Sequence, residues 1–423
     1  MSSNRRRNNR FSGGRSNNNS FGGGRGGGGG RGRGGIAYAG GGGGRGGGGE
    51  QPDARLCKFF LLGGPQQCSK GNCQFAHSIQ RVADVATAGG GGGARQEHRV
   101  AAVCSHKDAS GGVRVFTGSK DGHWRMWNAM TWTLEQDVQM EGEIHALEVE
   151  AGFLVCGYEG PTPTLPGVTV GLVRAWNLSN PATPYDFRMS EALPFAHLQR
   201  TYAVQLKIDA APEVYTGSHD GAIHCWGFDA ANNKFLLKCK LEGHVLGVTS
   251  LALFSSGGTF LLSGSMDKSV RVWSVDDPQR KECQGLLTKN NSGHTDVVTA
   301  VCALAMGDQN FFLTGSLDQH VRVWNGQGGC DFAQKCGGQV LALCTTQDPS
   351  NKAVVLVGLA DGTVELRQPE LGFRLRATLS NRFSVGHHSE VKALCAGDAY
   401  FCSVGADSKL MVWQWVAPLP PGQ

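Results

Sequence analysis

The sequence predicts an all-β repeat protein, and two observations support that prediction. One phrase recurs seven times: an apolar run, a small polar residue, a glycine, an aspartate turn, and a second apolar run that ends in tryptophan. Two clear copies run from Phe116 to Trp127 and from Leu313 to Trp324. A regular spacing of roughly 20–50 residues between copies is the signature of a repeat architecture. The seven copies end at Trp127, Trp176, Trp226, Trp273, Trp324, Arg367 and Trp413.

Short β-branched runs surround each turn. The segment Val270–Trp273 reads Val-Arg-Val-Trp, and the segment 321–324 repeats it. Alternating polarity between glycine and aspartate turns is typical of half-buried strands. Two copies depart from the phrase: the second has a Pro/Gly-rich insertion at Gly160–Gly171 in place of the turn aspartate, and the sixth ends in Arg367.

The repeat resembles the WD40 family, because Gly-His pairs such as Gly243-His244 precede several copies. The resemblance implies four antiparallel strands per blade and seven blades around a channel, here over residues 98–416. One blade cannot bury both of its faces, so the ring has to close. Because the chain after Trp415 is short and Pro-rich, we expect a strand from the Gly-rich linker at 79–97 to complete the last blade. Residues 417–423 are predicted to be a Pro-rich tail.

Three copies carry a histidine, a hydroxyl residue, an aspartate and a tryptophan, which invites comparison with Ser-His-Asp hydrolases. The set recurs, one hydroxyl residue is threonine, and the WD40 resemblance implies a buried hydrogen-bond network that ties a loop to a strand. We therefore assign no catalytic residue and expect that the protein is not an enzyme. The sets are His244, Ser263, Asp267 and Trp273; His294, Thr314, Asp318 and Trp324; and His387, Ser403, Asp407 and Trp413.

The WD40 resemblance also implies a protein-binding surface. Family geometry places the residue before each turn aspartate on the top face, near the channel. The apolar members in blades 4 to 7 form a candidate partner surface, because exposed apolar patches usually mark contacts. The six positions are Lys120, His219, Met266, Leu317, Ala360 and Ala406.

A cluster of three cysteines and a histidine in residues 53–78 is the sharpest chemical signal. Ten, four and three residues separate Cys57, Cys68, Cys73 and His77. Three thiolates and an imidazole complete a tetrahedral zinc shell with no open position, which predicts one structural Zn²⁺. So short a segment cannot build an apolar core, so the metal would supply its folding energy. Three unrelated free thiols are the alternative.

The same segment resembles CCCH zinc fingers, most closely from Cys73 to His77. In RNA-binding members an aromatic residue at the place of Phe75 stacks on a base. Nearby lysines and aromatics supply the charge and stacking surface typical of sites for single-stranded RNA, with DNA as another possible ligand. The alternative is a zinc knob that binds protein or supports the linker. The candidate contacts beside Phe75 are Lys58, Phe59, Phe60 and Lys70.

Residues 1–52 form a Gly/Arg-rich head. Residues 1–50 hold nine arginines and one acid, whereas the whole chain carries a net charge of +5. Such a segment cannot bury an apolar core, so we predict that it is disordered. It resembles the RGG boxes of RNA-binding proteins, in which arginine attracts phosphate and stacks on bases. A flexible tail without a dedicated ligand is the alternative. The candidate contacts are Arg25, Arg31, Arg33 and Arg45.

A single CCCH finger followed by seven repeats resembles the plant-type family of CCCH-finger WD40 proteins over about residues 55–415. We predict an RNA-binding adaptor whose head and finger hold RNA and whose propeller recruits proteins. The alternative is a protein-interaction scaffold or ubiquitin-ligase substrate receptor with a purely structural finger. No tryptophan in the chain is followed by aspartate, so the WD-x-R signature of cullin-ligase receptors is missing.

The place of action is predicted from charge and hydropathy. No apolar run reaches the roughly 18–20 residues of a membrane span, so we expect no membrane partner. The arginine-rich start has no apolar segment typical of a secretory signal. We therefore expect an intracellular protein. Arg5-Arg6-Arg7 and the head favour the nucleus over the cytoplasm.

Overall fold

The computed structural model describes residues 62, 78–86, 99–108, 110–162, 166–209, 212–277, 281–381 and 385–416. Within these ranges, twenty-eight strands form seven separate four-stranded antiparallel sheets. The first strand of each sheet contacts the first strands of the two neighbouring sheets, and the ring of contacts closes between the first and last sheets. The fold is a seven-bladed β-propeller, as the repeat and its resemblance predict.

The first four blades follow the chain without interruption. Blade 1 comprises β2 (Val100–Lys107), β3 (Val113–Ser119), β4 (His123–Asn128) and β5 (Leu134–Gln139). Blade 2 comprises β6 (Glu143–Glu150), β7 (Phe153–Pro161), β8 (Thr169–Asn177) and β9 (Tyr185–Asp186). Blade 3 comprises β10 (Thr201–Lys207), β11 (Glu213–Ser218), β12 (Ile223–Asp229) and β13 (Lys234–Leu241). Blade 4 comprises β14 (Val248–Ser255), β15 (Thr259–Ser265), β16 (Val270–Ser274) and β17 (Glu282–Leu287).

The last three blades repeat this order, except that the outer strand of blade 7 comes from the other end of the described chain. Blade 5 comprises β18 (Val298–Met306), β19 (Gln309–Ser316), β20 (His320–Asn325) and β21 (Cys330–Lys335). Blade 6 comprises β22 (Val340–Gln347), β23 (Ala353–Leu359), β24 (Val364–Gln368) and β25 (Arg374–Leu379). Blade 7 comprises β26 (Val391–Ala396), β27 (Tyr400–Gly405), β28 (Lys409–Trp415) and β1 (Ile79–Ala86).

Helical structure is scarce in the described chain. Two short 3₁₀ turns occupy Lys289–Asn291 and Pro369–Leu371. None of the helical segments that the structure describes has the length and apolar character that crossing a bilayer requires.

The glycine of the repeated phrase lies where adjacent blades come closest. A Cβ atom on Gly315 would stand 2.5 Å from Val340 Cγ1, which is on the first strand of the next blade. The equivalent clash at Gly264 is with Val298 Cγ1 at 2.8 Å. Such distances are far shorter than van der Waals contact, so a side chain at this position would push two blades apart. The glycine therefore allows close packing between blades rather than a turn within one.

Pairing between the first and last described strands closes the ring. β1 pairs antiparallel with β28, from Ile79 opposite Trp415 to Ala86 opposite Lys409. The Lys409 Nζ atom lies 3.0 Å from Asp84 Oδ1 across this pair. Strand β1 falls within the interval 79–97, from which the sequence analysis expects a closing strand. Residues 79–86 therefore belong to blade 7 and not to a linker.

Replacing Ile79 tests this closure. The Ile79 side chain is 1% exposed and packs in one cluster with Trp413 and Trp415. Ile79→Ala removes buried methyl groups and leaves a cavity, so it should lower the free energy of unfolding by about 2–4 kcal/mol. Val82→Ala, in the same strand but 37% exposed, is the control and should cost less than about 1 kcal/mol. Equal urea midpoints for the two variants would show that β1 does not hold the ring closed.

Candidate functional site

The predicted zinc ligands and nucleic-acid contacts lie outside the described residues. These are Cys57, Cys68, Cys73 and His77, together with Lys58, Phe59, Phe60, Lys70, Phe75, Arg25, Arg31, Arg33 and Arg45. One residue of the finger segment is described. Leu62 packs against the apolar cluster that blades 6 and 7 share, which includes Ile79 and Trp415. Leu62 itself therefore contacts the propeller beside the closing strand.

The six predicted protein-binding residues lie at one end of the propeller, which we call the turn end because it carries the aspartate turns. Each of the six donates its backbone N–H to the carbonyl of a residue just before the first strand of its own blade. Leu317, for example, donates to Val297 O at 3.0 Å. His219 is exposed, and the other five, Lys120, Met266, Leu317, Ala360 and Ala406, are half-buried.

More strongly exposed apolar side chains lie on neighbouring loops of the turn end. Leu198 and Val245 are 64% and 82% exposed, and Leu246 is 53% exposed. The backbone N–H of Leu198 donates to Asp220 Oδ2, and that of Val245 donates to Asp267 Oδ2, so both residues stand directly over an aspartate turn. The aspartate turns alone do not predict this apolar group, because Leu198 follows His197 and Val245-Leu246 follow His244 in the sequence.

The polar sets of blades 4, 5 and 7 form the same buried network. In blade 5, His294 Nε2 lies 2.7 Å from Thr314 Oγ1, and Trp324 Nε1 donates to the same oxygen at 2.9 Å. The His294 Nδ1 atom lies 2.9 Å from Asp318 Oδ2. An ionised carboxylate can only accept, so Nδ1 carries the proton that it shares with Asp318. Equivalent contacts join His244 to Ser263, Asp267 and Trp273, and His387 to Ser403, Asp407 and Trp413.

The hydroxyl groups of these sets cannot serve as nucleophiles where they lie. Ser263, Thr314 and Ser403 are all 0% exposed. Each oxygen is already shared between a histidine and a tryptophan, and no substrate can reach it. A hydrolytic nucleophile needs access to its substrate as well as a base within hydrogen-bond reach. In these three blades the network instead ties the turn end to the third strand.

Blade 3 contains a fourth network, which the Gly-His pattern of the sequence does not predict. His197 Nε2 lies 2.7 Å from Thr216 Oγ1, which also accepts from Trp226 Nε1 at 2.9 Å. The His197 Nδ1 atom is 3.6 Å from Asp220 Oδ2. No glycine precedes His197, so the Gly-His signal is absent. The signal that remains is spacing, because Thr216 lies 19 positions after His197, just as Ser263 lies 19 positions after His244.

The turn aspartates of blades 3, 4, 5 and 7 are held in their ionised form, because their pKa values lie below the usual range. Burial opposes ionisation of Asp220, but its contacts with His197 and with the backbone of Ala222 and Leu198 outweigh burial and lower its pKa from 3.8 to about 2. Burial also raises the pKa of Asp318, but hydrogen bonds from His294 and from nearby backbone N–H groups lower it more. The pKa of Asp318 therefore lies well below its usual range.

Blade 6 replaces the network with a buried ion pair. Arg367 stands where other blades have tryptophan and is 1% exposed. Its Nε donates to Glu365 Oε2 at 2.8 Å, and its Nη1 donates to Phe373 O at 3.1 Å. Glu365 in turn accepts from the Gly337 N–H. A buried charge is tolerated when its partner and remaining donors are satisfied, so this blade keeps its core by a different set of bonds.

Blade 2 departs in another way. Cys156 occupies the position of the hydroxyl residue and pairs in register with Arg174, which binds Asp186 Oδ1 at 2.7 Å. The outer strand β9 has only two residues. Beside it lies a cleft of about 330 Å³ whose walls include Tyr158 and Phe187. The Trp176 ring compensates in the core by packing edge-on against Trp124 of blade 1, with centroids 5.4 Å apart.

A comparison with family models identifies the repeats. Residues 235–274 and 285–325 match the WD40 model, described as "WD domain, G-beta repeat". These two matches cover the end of blade 3, most of blade 4 and much of blade 5.

A comparison with curated proteins extends the match over most of the chain. Zinc finger CCCH domain-containing protein 17 of Oryza sativa subsp. japonica is 31% identical over 367 residues, which cover 86% of this chain and 73% of the rice protein. The chain belongs to the family of CCCH zinc finger proteins with WD40 repeats. F-box/WD repeat-containing protein 9 of Bos taurus is 29% identical over 44% of this chain and 39% of its own length.

Solved structures confirm the fold of this family member. The computationally designed Ika8 protein matches with a TM-score of 0.51 and 22% sequence identity, over 75% of this chain and 97% of the designed protein. At this identity the likeness shows the fold alone.

A buried charged group joins blades 3 and 4 of this CCCH-WD40 protein. Lys281, on the segment before β17, extends to β11, where its Nζ lies 2.6 Å from Glu213 Oε2 and 2.8 Å from Tyr215 Oη. The side chains of Lys281 and Glu213 are 1% and 3% exposed. Sequence patterns gave no sign of this pair, because its members lie 68 residues apart on different blades.

Removing one hydroxyl tests the network. Thr314→Val leaves both His294 Nε2 and Trp324 Nε1 buried without a partner, so the free energy of unfolding should fall by about 2–4 kcal/mol. Thr314→Ser is the matched control: blades 4 and 7 already use serine, so it should cost less than about 1.5 kcal/mol. Urea titrations followed by tryptophan fluorescence measure both. Indistinguishable urea midpoints for the valine and serine variants would show that the network does not contribute to the free energy of unfolding.

The turn aspartates predict loss of stability in acid. Because the pKa of Asp220 is lower in the folded chain than its ordinary 3.8, its contribution is complete above that value and is lost as the pH falls toward about 2. Urea midpoints measured from neutral pH into this window should decline steeply for the wild type. Asp220→Asn cannot titrate and should be less stable near neutral pH and decline less in acid. Parallel declines for the two proteins would count against this assignment.

Proposed function

We propose that this protein is an RNA-binding adaptor. The CCCH finger and the arginine-glycine head contact single-stranded RNA, and the propeller recruits protein partners. The observation that carries the proposal is one chain that combines a Cys₃His donor set with a WD40 propeller and matches a CCCH relative over 86% of its length. RNA is preferred to DNA because exposed bases that stack on aromatics and arginine are the usual target of such segments.

The donor set of the finger fits one structural Zn²⁺. Cys57, Cys68, Cys73 and His77 offer three thiolates and an imidazole, the ligands that tetrahedral zinc prefers. When bound, the ion would stabilise the fold of a segment too short to build its own core. With four protein ligands there is no open position, so the finger's part is to present Lys58, Phe59, Phe60, Lys70 and Phe75 to the nucleic acid.

The contact of Leu62 supports joint action of finger and propeller. In the sequence, Leu62 falls between the predicted zinc ligands Cys57 and Cys68. Its side chain packs against the cluster shared by blades 6 and 7. A finger fixed there would hold RNA beside the propeller instead of at the end of a free tether. Partners docked on the propeller would then meet the RNA at high effective concentration.

Protein recruitment is assigned to the turn end. Met266 and Leu317 present apolar atoms there, and Lys120 and His219 add polar ones. The six residues that precede the turn aspartates form a ring at this end. Leu317→Asp places a charge on the half-buried apolar part of that ring, so it should abolish partner pull-down without lowering the thermal midpoint. Val245→Asp, 82% exposed on a loop beside it, shows whether the contact extends outward. Partner binding that survives Leu317→Asp would exclude the ring as the site.

The second candidate function is a ubiquitin-ligase substrate receptor or other protein scaffold with a structural finger. It is favoured by the match to F-box/WD repeat-containing protein 9, whose name couples WD repeats to an F-box. The absence of a Trp-Asp pair anywhere in the chain weighs against it. The two functions differ in whether residues 1–78 bind RNA.

Crosslinking of the full chain to RNA in cells tests the adaptor. Phe75→Ala should remove one stacking contact and weaken RNA binding by about 1–3 kcal/mol. Cys73→Ser should unfold the finger and remove its share of binding altogether. The control is Phe332→Ala, a substitution in blade 5 far along the chain from the finger, which should leave crosslinking unchanged. If deleting residues 1–78 leaves RNA capture undiminished, the adaptor proposal is wrong and the scaffold is the remaining candidate.

The head is tested by graded substitution of its four arginines. Changing Arg25, Arg31, Arg33 and Arg45 to lysine keeps the charge but removes the flat guanidinium, whereas alanine removes both. The alanine variant should lower the slope of log affinity against log salt by up to about 3, and the lysine variant should leave that slope unchanged. Equal slopes for alanine and wild type would show that the head does not bind phosphate.

We also propose that the protein acts in the nucleus, as its arginine-rich start suggests. A fluorescent fusion of the full chain should concentrate there. Replacement of Arg5-Arg6-Arg7 by glutamine should shift it to the cytoplasm if these arginines direct import.

A further inference from the structure

A buried histidine nitrogen that makes no hydrogen bond to a described residue faces two carboxylates at the turn end of blade 2. His145 Nε2 lies 3.9 Å from Glu143 Oε2 and 4.0 Å from Glu159 Oε2. The His145 side chain is 7% exposed, and its Nε2 makes no hydrogen bond to any described residue. Burying an unpaired ring nitrogen costs free energy, so this nitrogen is a position where a ligand would be stabilising.

We propose that Glu143, His145 and Glu159 bind a divalent transition-metal ion of the Zn²⁺ class, at a site separate from the finger. One donor atom from each residue lies within 4.8 Å of the others. A tetrahedral ion with bonds of about 2.0–2.1 Å needs donors about 3.3–3.4 Å apart, so small rotations of the two glutamates would complete the site. Because both glutamates are only partly buried, those rotations are available.

The ring of His145 is already suited to bind such an ion. Burial, followed by the positive charge of Lys120, lowers its pKa to about 4, so the imidazole is neutral near pH 7. A neutral imidazole is the form that binds metal. Tyr202 packs edge-on against the ring with centroids 5.5 Å apart, which restrains the direction of Nε2.

Two cations balance the carboxylates when no ion is bound. Lys120 Nζ lies 3.3 Å from Glu143 Oε2, and Arg200 Nε lies 3.1 Å from Glu159 Oε2. Their side chains are 31% and 39% exposed, so both can move toward solvent. Neither is bonded to His145 Nε2. An incoming ion would therefore compete with Lys120 and Arg200 for the carboxylates but not for the nitrogen.

The mixed donor set defines the class of ion. One imidazole and two carboxylates suit Zn²⁺ and its first-row neighbours, whereas a thiolate-rich site such as the finger favours softer metal ions. Three protein ligands leave a fourth position open, unlike the closed finger.

Zinc titration of the full chain against a chromophoric chelator tests the site. The wild type should bind two equivalents, one at the finger and one in blade 2. His145→Ala and Cys73→Ser should each remove one equivalent, and the double variant should remove both. Glu159→Gln keeps the shape of the side chain and should weaken the blade 2 equivalent by roughly tenfold or more. If Cys73→Ser removes a zinc equivalent and His145→Ala removes none, the blade 2 site does not exist and the finger still binds zinc.

Two further variants separate coordination from general charge. His123→Ala removes a histidine that is already paired with Asp137 at 2.6 Å, and should leave both equivalents in place. Lys120→Met removes a competing cation and should tighten the blade 2 equivalent by about tenfold. Circular dichroism melts confirm that each variant is folded. A second equivalent that survives His145→Ala, or one that Lys120→Met does not tighten, overturns the proposal.

Discussion

The turn end of this propeller depends on a buried hydroxyl group shared between two rings. In blades 3, 4, 5 and 7 a serine or threonine oxygen lies within hydrogen-bond distance of a histidine from the preceding loop and of a tryptophan on the third strand. The turn aspartate that contacts the histidine Nδ1 also accepts the backbone N–H of the residue after that histidine, as Asp318 does from Thr295. Loop, turn and strand are thereby one unit, and the loops that could meet a partner are positioned from inside the blade. Each bond is modest alone, but leaving any member unpaired in the core is costly.

The blades that lack this hydroxyl show that satisfaction of buried groups matters more than the identity of the residues. In blade 6, Val357 replaces the hydroxyl residue, and the buried Arg367 binds Glu365 and the Phe373 carbonyl. In blade 2, Arg174 binds Asp186 at the surface while Trp176 packs against a neighbouring blade. The degenerate repeats of this chain therefore keep their blades because several substitutions occur together. A single change within a set leaves an unpaired group and should be far less tolerated.

Much of the fold could be predicted from the sequence because the repeated phrase is local. Strand, turn and tryptophan lie within about 15 residues of one another, and the need to close a ring pointed to a strand near residue 79. Contacts between blades could not be predicted. The packing of Gly315 against Val340 and the pair of Glu213 with Lys281 depend on residues from different repeats. His197 escaped notice because alanine precedes it. For the candidate site, the position of Lys120 followed from the turn, but the grouping of Glu143, His145 and Glu159 arises only when two strands pair.

The pairing of β1 with β28 has a consequence for synthesis on the ribosome. Ile79 is made more than three hundred residues before its partner Trp415. Blades 1 to 6 draw all their strands from consecutive segments, so each can form as it emerges. Blade 7 cannot, because its outer strand waits while almost the whole domain is translated. During that interval the apolar face of β1 and the face of blade 1 that packs against blade 7 have no partner, and exposed apolar surface of this kind makes a folding chain prone to misassembly.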